Sequence, residues 1–123
     1  MEWTSRYDST RGIVSAVVRG TYRVDPANAL LRELLALAQQ HGATRFLVDL
    51  SAAKLDMTTI EIRERPRQYE ALGFGRKSRM AVVFPEWTID AVFLQATIDR
   101  GEYPRKVFVD AKQAIEWLLS DRA

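Results

Sequence analysis

Three short apolar runs, separated by segments with helical periodicity, constrain the fold of this chain more than any other feature. The runs cover residues 45–50, 80–84 and 106–109. Strands that stay apolar along their length are typical of parallel sheets covered on both faces. Strands that alternate with helices are joined by right-handed crossovers, which lay the helices against the sheet. The sequence therefore predicts an α/β fold with a mostly parallel sheet.

The first twenty residues are predicted to form a β-hairpin ahead of this alternation. Residues 2–7 alternate weakly, residues 8–12 have the composition of a turn, and residues 13–18 are rich in β-branched side chains. The hairpin would add an antiparallel strand at one edge of the sheet. The predicted fold class is α/β, with a mixed, mostly parallel five-stranded sheet, an N-terminal hairpin and four flanking helices, in a single domain over residues 1–123.

Four helices are predicted from apolar residues at three- and four-residue spacing. Each begins at a residue type that caps helix N-termini: Asp25 with Pro26 after it, Thr58, Thr88 and Asp110. Gly42 is predicted to end the first helix in a left-handed conformation. Pro66 lies inside the second predicted helix, residues 58–72. Its ring and its missing N–H are expected to kink or split that helix.

The composition excludes several classes of function. The chain has no cysteine, which excludes disulfides, thiolate catalysis and zinc–thiolate sites. Hydrophobic residues make up 47% and charged residues 28% of the 123 positions, as in ordinary globular proteins. No apolar run approaches the roughly 20 residues that a membrane span requires, and the first residues lack the apolar stretch of a signal peptide. We therefore expect a cytoplasmic protein without a membrane span.

The charge distribution does not indicate binding of nucleic acid. The net charge is only +2, too small to suggest a phosphate backbone as the partner. Basic residues are concentrated between positions 63 and 79: Arg63, Arg65, Arg67, Arg76, Lys77 and Arg79. Three glutamates lie among them or just before them, a mixture that is typical of a solvated helix face.

Polar residues after the first apolar run locate a candidate site. Asp49 and Ser51 come at the end of that run, and residues 56–59, Asp-Met-Thr-Thr, lead into the second predicted helix. Open α/β sheets usually place their functional groups at the carboxyl ends of strands. Thr58 and Glu61 have the spacing of a capping box, and Asp49 is expected to cap backbone groups at the strand end. Two carboxylates seven positions apart are a weak signal for Mg²⁺, so no metal or cofactor is predicted.

Several segments resemble those of the STAS-like domains. They are VDLS at residues 48–51, the Asp-x-Thr-Thr-Ile helix start at residues 56–60 and VFVDAKQAIEWL at residues 107–118. The family includes the anti-sigma-factor antagonists of sporulation and their SpoIIAA-like relatives, and the CRAL-TRIO lipid-binding domains share its fold more loosely. The resemblance spans nearly the whole chain. It implies a regulatory module that binds a protein partner, such as an anti-sigma factor or a kinase-like regulator.

The resemblance also bears on phosphorylation. In the antagonist branch this segment resembles Asp-Ser-Ser-Gly-Leu, and a partner kinase phosphorylates the second serine. Asp56 matches the aspartate, Thr58 the phosphoacceptor and Ile60 the leucine. Met57 and Thr59 depart from the pattern, and Thr59 replaces a glycine whose missing side chain would let a kinase approach closely. The sequence therefore fits better the SpoIIAA-like branch in which this switch is not recognisable.

The leading functional prediction is a non-enzymatic interaction module. Its partner-binding surface is predicted to comprise eight residues: Asp49, Ser51, Asp56, Met57, Thr58, Thr59, Arg63 and Arg67. The single histidine, His41, lies at the predicted C-terminus of the first helix, where its positive form complements the helix dipole. Nothing in the sequence pairs it with a nucleophile, so no enzymatic activity is predicted.

Binding of a small apolar molecule or a lipid is the alternative function. The predicted helix over residues 88–98 is apolar on more than one face, and Trp87 precedes it. A helix that is apolar all round is usually buried, but a chain this small rarely buries every side. The surplus apolar surface would line either a pocket or a homodimer interface. The pocket is predicted to include Tyr69, Trp87 and Phe93.

Overall fold

The computed structural model describes residues 1–101 and 104–120 of the chain. Strands and helices follow one another in the order predicted from the sequence. They are β1 Glu2–Asp8, β2 Ile13–Tyr22, α1 Val24–His41, β3 Arg45–Leu55, α2 Thr59–Leu72, β4 Arg79–Val83, α3 Ile89–Asp99, β5 Arg105–Phe108 and α4 Ala111–Leu119.

The strands form one sheet in the order β1-β2-β3-β4-β5. β1 and β2 are an antiparallel hairpin. The pairs β2–β3, β3–β4 and β4–β5 are all parallel. The hairpin turn depends on Gly12, which adopts a left-handed φ of 69° and donates its N–H to the Asp8 carbonyl at 2.7 Å. The predicted mixed, mostly parallel five-stranded sheet with four helices is therefore confirmed.

The helices divide unequally between the two faces of the sheet. α1, α2 and α3 cover one face, where residues such as Leu34, Phe46 and Val82 form the main core. α4 covers the other face by packing on β3, β4 and β5. There Leu118 joins Leu47 and neighbouring sheet residues in a smaller core. Three successive right-handed crossovers between adjacent strands place their helices on the same face, which explains this division.

β3 is longer than predicted. It was expected to end at Leu50, but it continues to Leu55 alongside β2. Its pairing with β4 stops at Asp49, which lies opposite Val83. Beyond that point only one face of β3 is covered, so the continuous apolar pattern gives way to exposed residues alternating with half-buried ones. The change of pattern marks the end of two-sided burial, not the end of the strand.

Two helix predictions also need correction. α1 begins at Val24 after an N-cap at Arg23 that makes no side-chain cap, so Asp25 lies in the first turn and does not cap the helix. Pro26 follows within the first turn, where a missing N–H costs little. The second helix was predicted to be kinked or split at Pro66. α2 is continuous through that residue, so it is not split, and a kink there stays a prediction. Gly42 ends α1 with a φ of 64°, as predicted.

Candidate functional site

Residues 56–59 connect the carboxyl end of β3 to the first turn of α2. The Asp56 backbone N–H donates to the Tyr22 carbonyl at 3.0 Å, so the loop leaves the sheet from a fixed point. The Asp56 carboxylate accepts a hydrogen bond from Arg23 Nε at 3.0 Å. Met57 is half-buried and packs against the main core. These contacts anchor the loop immediately before its exposed threonines.

The predicted capping box at the start of α2 is confirmed. Thr58 Oγ1 accepts a hydrogen bond from the Glu61 backbone N–H at 3.1 Å. The Glu61 side chain in turn accepts the Thr58 backbone N–H at 2.8 Å. Two otherwise unpaired backbone donors are thereby satisfied. Thr58 and Thr59 are both exposed, so the structure presents their side chains to solvent at the positive end of the α2 dipole.

The outer face of α2 continues this surface. Ile60 is 69% exposed, a high value for a large apolar side chain. Arg63 and Arg67 are also exposed, and their spacing from Ile60 places all three on one face of the helix. Arg67 forms an exposed ion pair with Glu64 at 3.5 Å. The structure therefore brings Arg63 and Arg67 onto the surface that begins at residues 56–59.

Asp49 and Ser51 lie elsewhere. Because β3 continues to Leu55, seven residues of mostly extended chain, or about 23 Å at about 3.3 Å per residue, separate Asp49 from Asp56. The register between β2 and β3 shifts here by one residue, which forms a β-bulge after Asp49. The Asp49 carboxylate accepts the Ser51 backbone N–H at 2.9 Å and also its hydroxyl. Asp49 thus caps backbone at a bulge, and not at the end of the strand.

The burial of Arg65 was not predicted from the sequence. Arg65 was predicted to belong to a solvated face, but only 2% of it is exposed. Its Nη1 donates to Asn28 Oδ1 at 2.8 Å and to Gln68 Oε1 at 2.7 Å. Its guanidinium lies 4.9 Å from the Tyr69 ring centre, and the guanidinium of the buried Arg105 lies 4.2 Å from the same centre. The physical reason for burial is that Arg65 lies one turn from Ile62 and Tyr69, the buried stripe of α2.

These side chains change the electrostatics of the interior beneath α2. Burial raises the pKa of the Tyr22 hydroxyl well above its usual value, and the neighbouring Tyr69 raises it further. The raised pKa therefore keeps the phenol protonated at alkaline pH values at which an exposed tyrosine would ionise. Nothing in the sequence predicts that Arg65, Tyr22 and Tyr69 lie together in the interior. The spacing of residues shows which face of an element they lie on, but it does not show whether the contacts on that face are polar or apolar.

The structure does not bring the three predicted apolar-site residues together. Tyr69 is buried beside a cavity of about 10 Å³, which holds at most one water molecule. Trp87 and Phe93 instead line a groove of about 420 Å³ on the surface of α3. Trp87 and Val92 are each about half exposed, and Ile89 is 88% exposed. Tyr69 and the pair Trp87 and Phe93 thus line two different cavities.

His41 lies at the opposite end of the sheet from residues 56–59. It is in the last turn of α1, which ends where β3 begins, and its ring stacks on Tyr7 with 4.1 Å between ring centres. Among the described residues there is no group of three or more histidine or acidic side chains placed to hold a metal ion. The described helices also include none that is long and apolar enough to cross a membrane.

Comparison with known proteins gives a result for the fold. No protein-family model matches the chain, and no curated protein matches it by sequence. The crystal structure of an anti-sigma factor antagonist from Mycobacterium paratuberculosis is similar at a TM-score of 0.65, with 18% identity over 97% of this chain and 96% of that one. The unphosphorylated form of the anti-sigma factor antagonist SpoIIAA is similar at a TM-score of 0.52, with 18% identity over 95% and 97% of the two chains.

These similarities cover nearly the full length of both solved chains. They show that the chain has the SpoIIAA-like fold, as the resemblance of its sequence to the STAS-like domains implies. At 18% identity they establish the architecture and leave the role of individual side chains to the geometry of the site.

Proposed function

We propose that the chain is a non-enzymatic regulatory module that binds a protein partner in the cytoplasm. The observation that carries the proposal is the surface formed by residues 56–60 and the outer face of α2. It is exposed, it is held rigid by the Thr58–Glu61 capping box, and it lies on the fold of anti-sigma factor antagonists. We call it the α2 surface and include in it the exposed Thr59, Ile60, Arg63 and Arg67.

The chemistry of the α2 surface indicates the kind of partner. Ile60 offers an apolar contact at the helix start, and Arg63 and Arg67 add positive charge along the same face. Arg67 is only partly neutralised by Glu64, since exposed ion pairs are weak. A partner that presents an apolar pocket beside acidic side chains is complementary to this arrangement. An anti-sigma factor or a kinase-like regulator would have to meet that condition.

Asp49 and Ser51 contribute to this function indirectly in the proposal. Asp49 lies about 23 Å and Ser51 about 17 Å of mostly extended chain away from Asp56, and their hydrogen bonds stabilise the β3 bulge. Their role is to fix the direction in which β3 carries residues 56–59 out of the sheet. The proposal therefore concentrates direct contacts on residues 56–60, Arg63 and Arg67.

A photo-crosslinking amino acid at position 59 tests the proposal in the original host. The same amino acid at Gln113, an exposed position on α4, serves as the control. The partner crosslinked from position 59 is then purified, and its dissociation constant is measured for Arg63→Glu. We expect a loss of about tenfold or more, since a rim charge that contributes attraction becomes repulsive.

Arg32→Glu is the matched variant, because Arg32 is also exposed on a helix, α1, on the same side of the sheet. It should change the dissociation constant by less than about twofold. Equal losses for Arg63→Glu and Arg32→Glu, or equal crosslinking from positions 59 and 113, would show that the α2 surface is not the binding site.

Partner binding through the α2 surface does not depend on phosphorylation of Thr58, because Thr59 stands where the antagonist branch has a glycine. A phosphate at the N-terminus of α2 would interact favourably with the helix dipole, but the carboxylates of Asp56 and Glu61 lie close by. The modification would therefore act by making the α2 surface more acidic towards its partner. Mass spectrometry of the protein from its host should therefore find Thr58 unmodified. Phosphate on Thr58 under any growth condition tested would contradict this expectation and would add control by phosphorylation to the function.

The groove on α3 favours a second candidate, the binding of an apolar molecule. Trp87, Ile89, Val92 and Phe93 line it, and its volume of about 420 Å³ is in the range of small-molecule sites. Dodecanoate is a suitable probe, because its binding would change the fluorescence of Trp87. Val92→Gln should weaken that change several-fold, whereas Ile115→Gln in α4 should not. No saturable change in fluorescence would eliminate the candidate.

A further inference from the structure

The outer edge of β1 is an unprotected sheet edge. The sheet order places β1 at one end, and within residues 1–101 and 104–120 no strand pairs with its outer side. An edge strand carries backbone N–H and C=O groups that are available for pairing with another chain. β1 is seven residues long, contains no proline and pairs with β2 without a register shift. Apart from the charged side chains of Glu2, Arg6 and Asp8, it therefore lacks the usual features that blunt an edge, such as short length, proline or a bulge.

The opposite edge of the sheet shows the contrast. β5 has only four residues, follows Pro104 and carries the exposed Lys106. Short length, proline and lysine are the features by which proteins prevent edge-to-edge pairing. One edge of this sheet is thus protected, and the other remains competent to pair.

β1 is also held in place by side-chain contacts with α1. Trp3 Nε1 and Ser5 Oγ both donate to the Glu33 carboxylate on α1, at 2.8 and 2.6 Å. Tyr7, further along the same face, stacks on His41 at the end of α1. A strand that is already ordered loses little further entropy when it pairs. These contacts leave the opposite face of β1, with Glu2, Thr4 and Arg6, directed away from α1.

We propose that β1 pairs antiparallel with β1 of a second copy of this chain, across a two-fold axis at Thr4. The pairing would join the two sheets into one of ten strands. In this register Glu2 of each copy lies opposite Arg6 of the other, and the two Thr4 residues face each other. Opposite charges and threonine pairs are favourable cross-strand neighbours.

Charge selects this register over the neighbouring one. Moving the two-fold axis to Ser5 would place Glu2 opposite Asp8, and like charges directly opposite are unfavourable. Glu2 and Arg6 are both exposed, and within the described residues neither forms an ion pair of its own. Both charges are therefore available for a partner. Each copy supplies one of each sign, so the complementarity is satisfied twice in the dimer.

Sedimentation velocity over about 1 μM to about 1 mM, the range expected for a small interface, measures the dimer directly. Glu2→Arg should raise the dissociation constant about tenfold or more, because two attractive pairs become two repulsive ones. The double variant Glu2→Arg with Arg6→Glu should restore it to within about threefold, since the charges are exchanged and still complementary. Glu70→Arg, an equal change of charge at an exposed position on α2, should have little effect.

Single cysteines test the register, because the chain has no cysteine of its own. Thr4→Cys should form a disulfide-linked dimer under mild oxidation much faster than Ser5→Cys or Thr10→Cys in the hairpin turn, since only position 4 faces its own copy across the axis. A monomer throughout the concentration range overturns the proposal. A dimer that ignores the charge reversal, or that crosslinks equally from all three positions, also overturns it and places any contact on another surface, such as α3.

Discussion

Replacing Thr58 with alanine tests whether the local structure of the candidate site depends on its capping box. The variant removes one hydrogen bond, from the Glu61 backbone N–H to Thr58 Oγ1 at 3.1 Å. The reciprocal bond from the Thr58 backbone N–H to Glu61 at 2.8 Å can still form. The Glu61 N–H is then left to water, because it is one of the first N–H groups of α2 and has no partner within the helix.

The expected loss of stability follows from this geometry. Substituting an N-cap threonine by alanine costs about 1 kcal/mol, within a range of roughly 0.5 to 2. For 123 residues the entropy of unfolding is about 0.26 kcal/mol/K, so 1 kcal/mol lowers the melting temperature by about 4 °C. The retained bond to Glu61 and the anchoring of Met57 in the core favour the lower half of the range.

Urea denaturation followed by circular dichroism measures the free energy of unfolding, and an unchanged slope shows that the same surface unfolds in each variant. Thr58→Ser and Thr58→Asp should remain close to the wild type, because both side chains cap well. Thr59→Ala is the positional control. Its hydroxyl lies one residue further on and makes no hydrogen bond within the described residues, so a change within about 0.5 kcal/mol is expected.

Equal stability of Thr58→Ala and the wild type would refute the reasoning, as would a serine variant that is as unstable as the alanine variant. The result also affects the binding experiments. If Thr58→Ala frays the first turn of α2, a weaker partner interaction in that variant reports loss of local order. Thr58→Asn keeps a side chain that caps well but has no hydroxyl to phosphorylate, so it separates loss of the cap from loss of a phosphoacceptor.

Three further predictions concern the interior and the bulge. Arg65→Ala should lose about 2 to 4 kcal/mol, whereas Arg65→Met should stay within about 1.5 kcal/mol of the wild type in urea denaturation, because methionine fills the space without a buried charge; equal losses would contradict this. The raised pKa of Tyr22 favours its protonated form in the folded state, so its contribution to stability is complete below the ordinary pKa near 10 and is lost as the pH rises above it. The stability of the wild type relative to Tyr22→Phe should therefore fall above pH 10, and parallel pH profiles of the two proteins would count against it. Asp49→Ala should cost about 1 kcal/mol by removing the acceptor at the β3 bulge, and Ser51→Ala should cost less because the backbone bond is kept; the same urea assay checks the order.

Much of the fold was predictable because local chemistry decides it. Gly42 ends α1 in a left-handed conformation that its residue type favours. Thr58 and Glu61 form the expected capping box, since both partners lie within four residues of each other. The hairpin, the apolar strands and the helical segments were identified by residue periodicity alone. The resulting order of elements was sufficient to predict a mixed, mostly parallel sheet, because the right-handed crossover rule leaves few possible arrangements of the strands.

The candidate site was less predictable. The sequence located residues 56–59 correctly between a strand and a helix, but it grouped them with Asp49 and Ser51. β3 keeps pairing with β2 after β4 has ended, and that pairing separates the two groups. The apolar pattern alone could not reveal this, because it records how many faces of a strand are covered and not how many neighbours it has.

The sequence by itself determined the order of the helices and strands, where α2 is capped and that β1 and β2 form a hairpin, because these features depend on residues close together in the chain. Only the tertiary structure decided that Arg65 is buried against Tyr69 while Arg63 and Arg67 are exposed. It also decided that apolar side chains of α3, and of Trp87 just before it, face solvent. It left the outer edge of β1 unpaired within the described residues. Burial depends on which elements pack against each face, and those contacts join residues that are distant in the sequence.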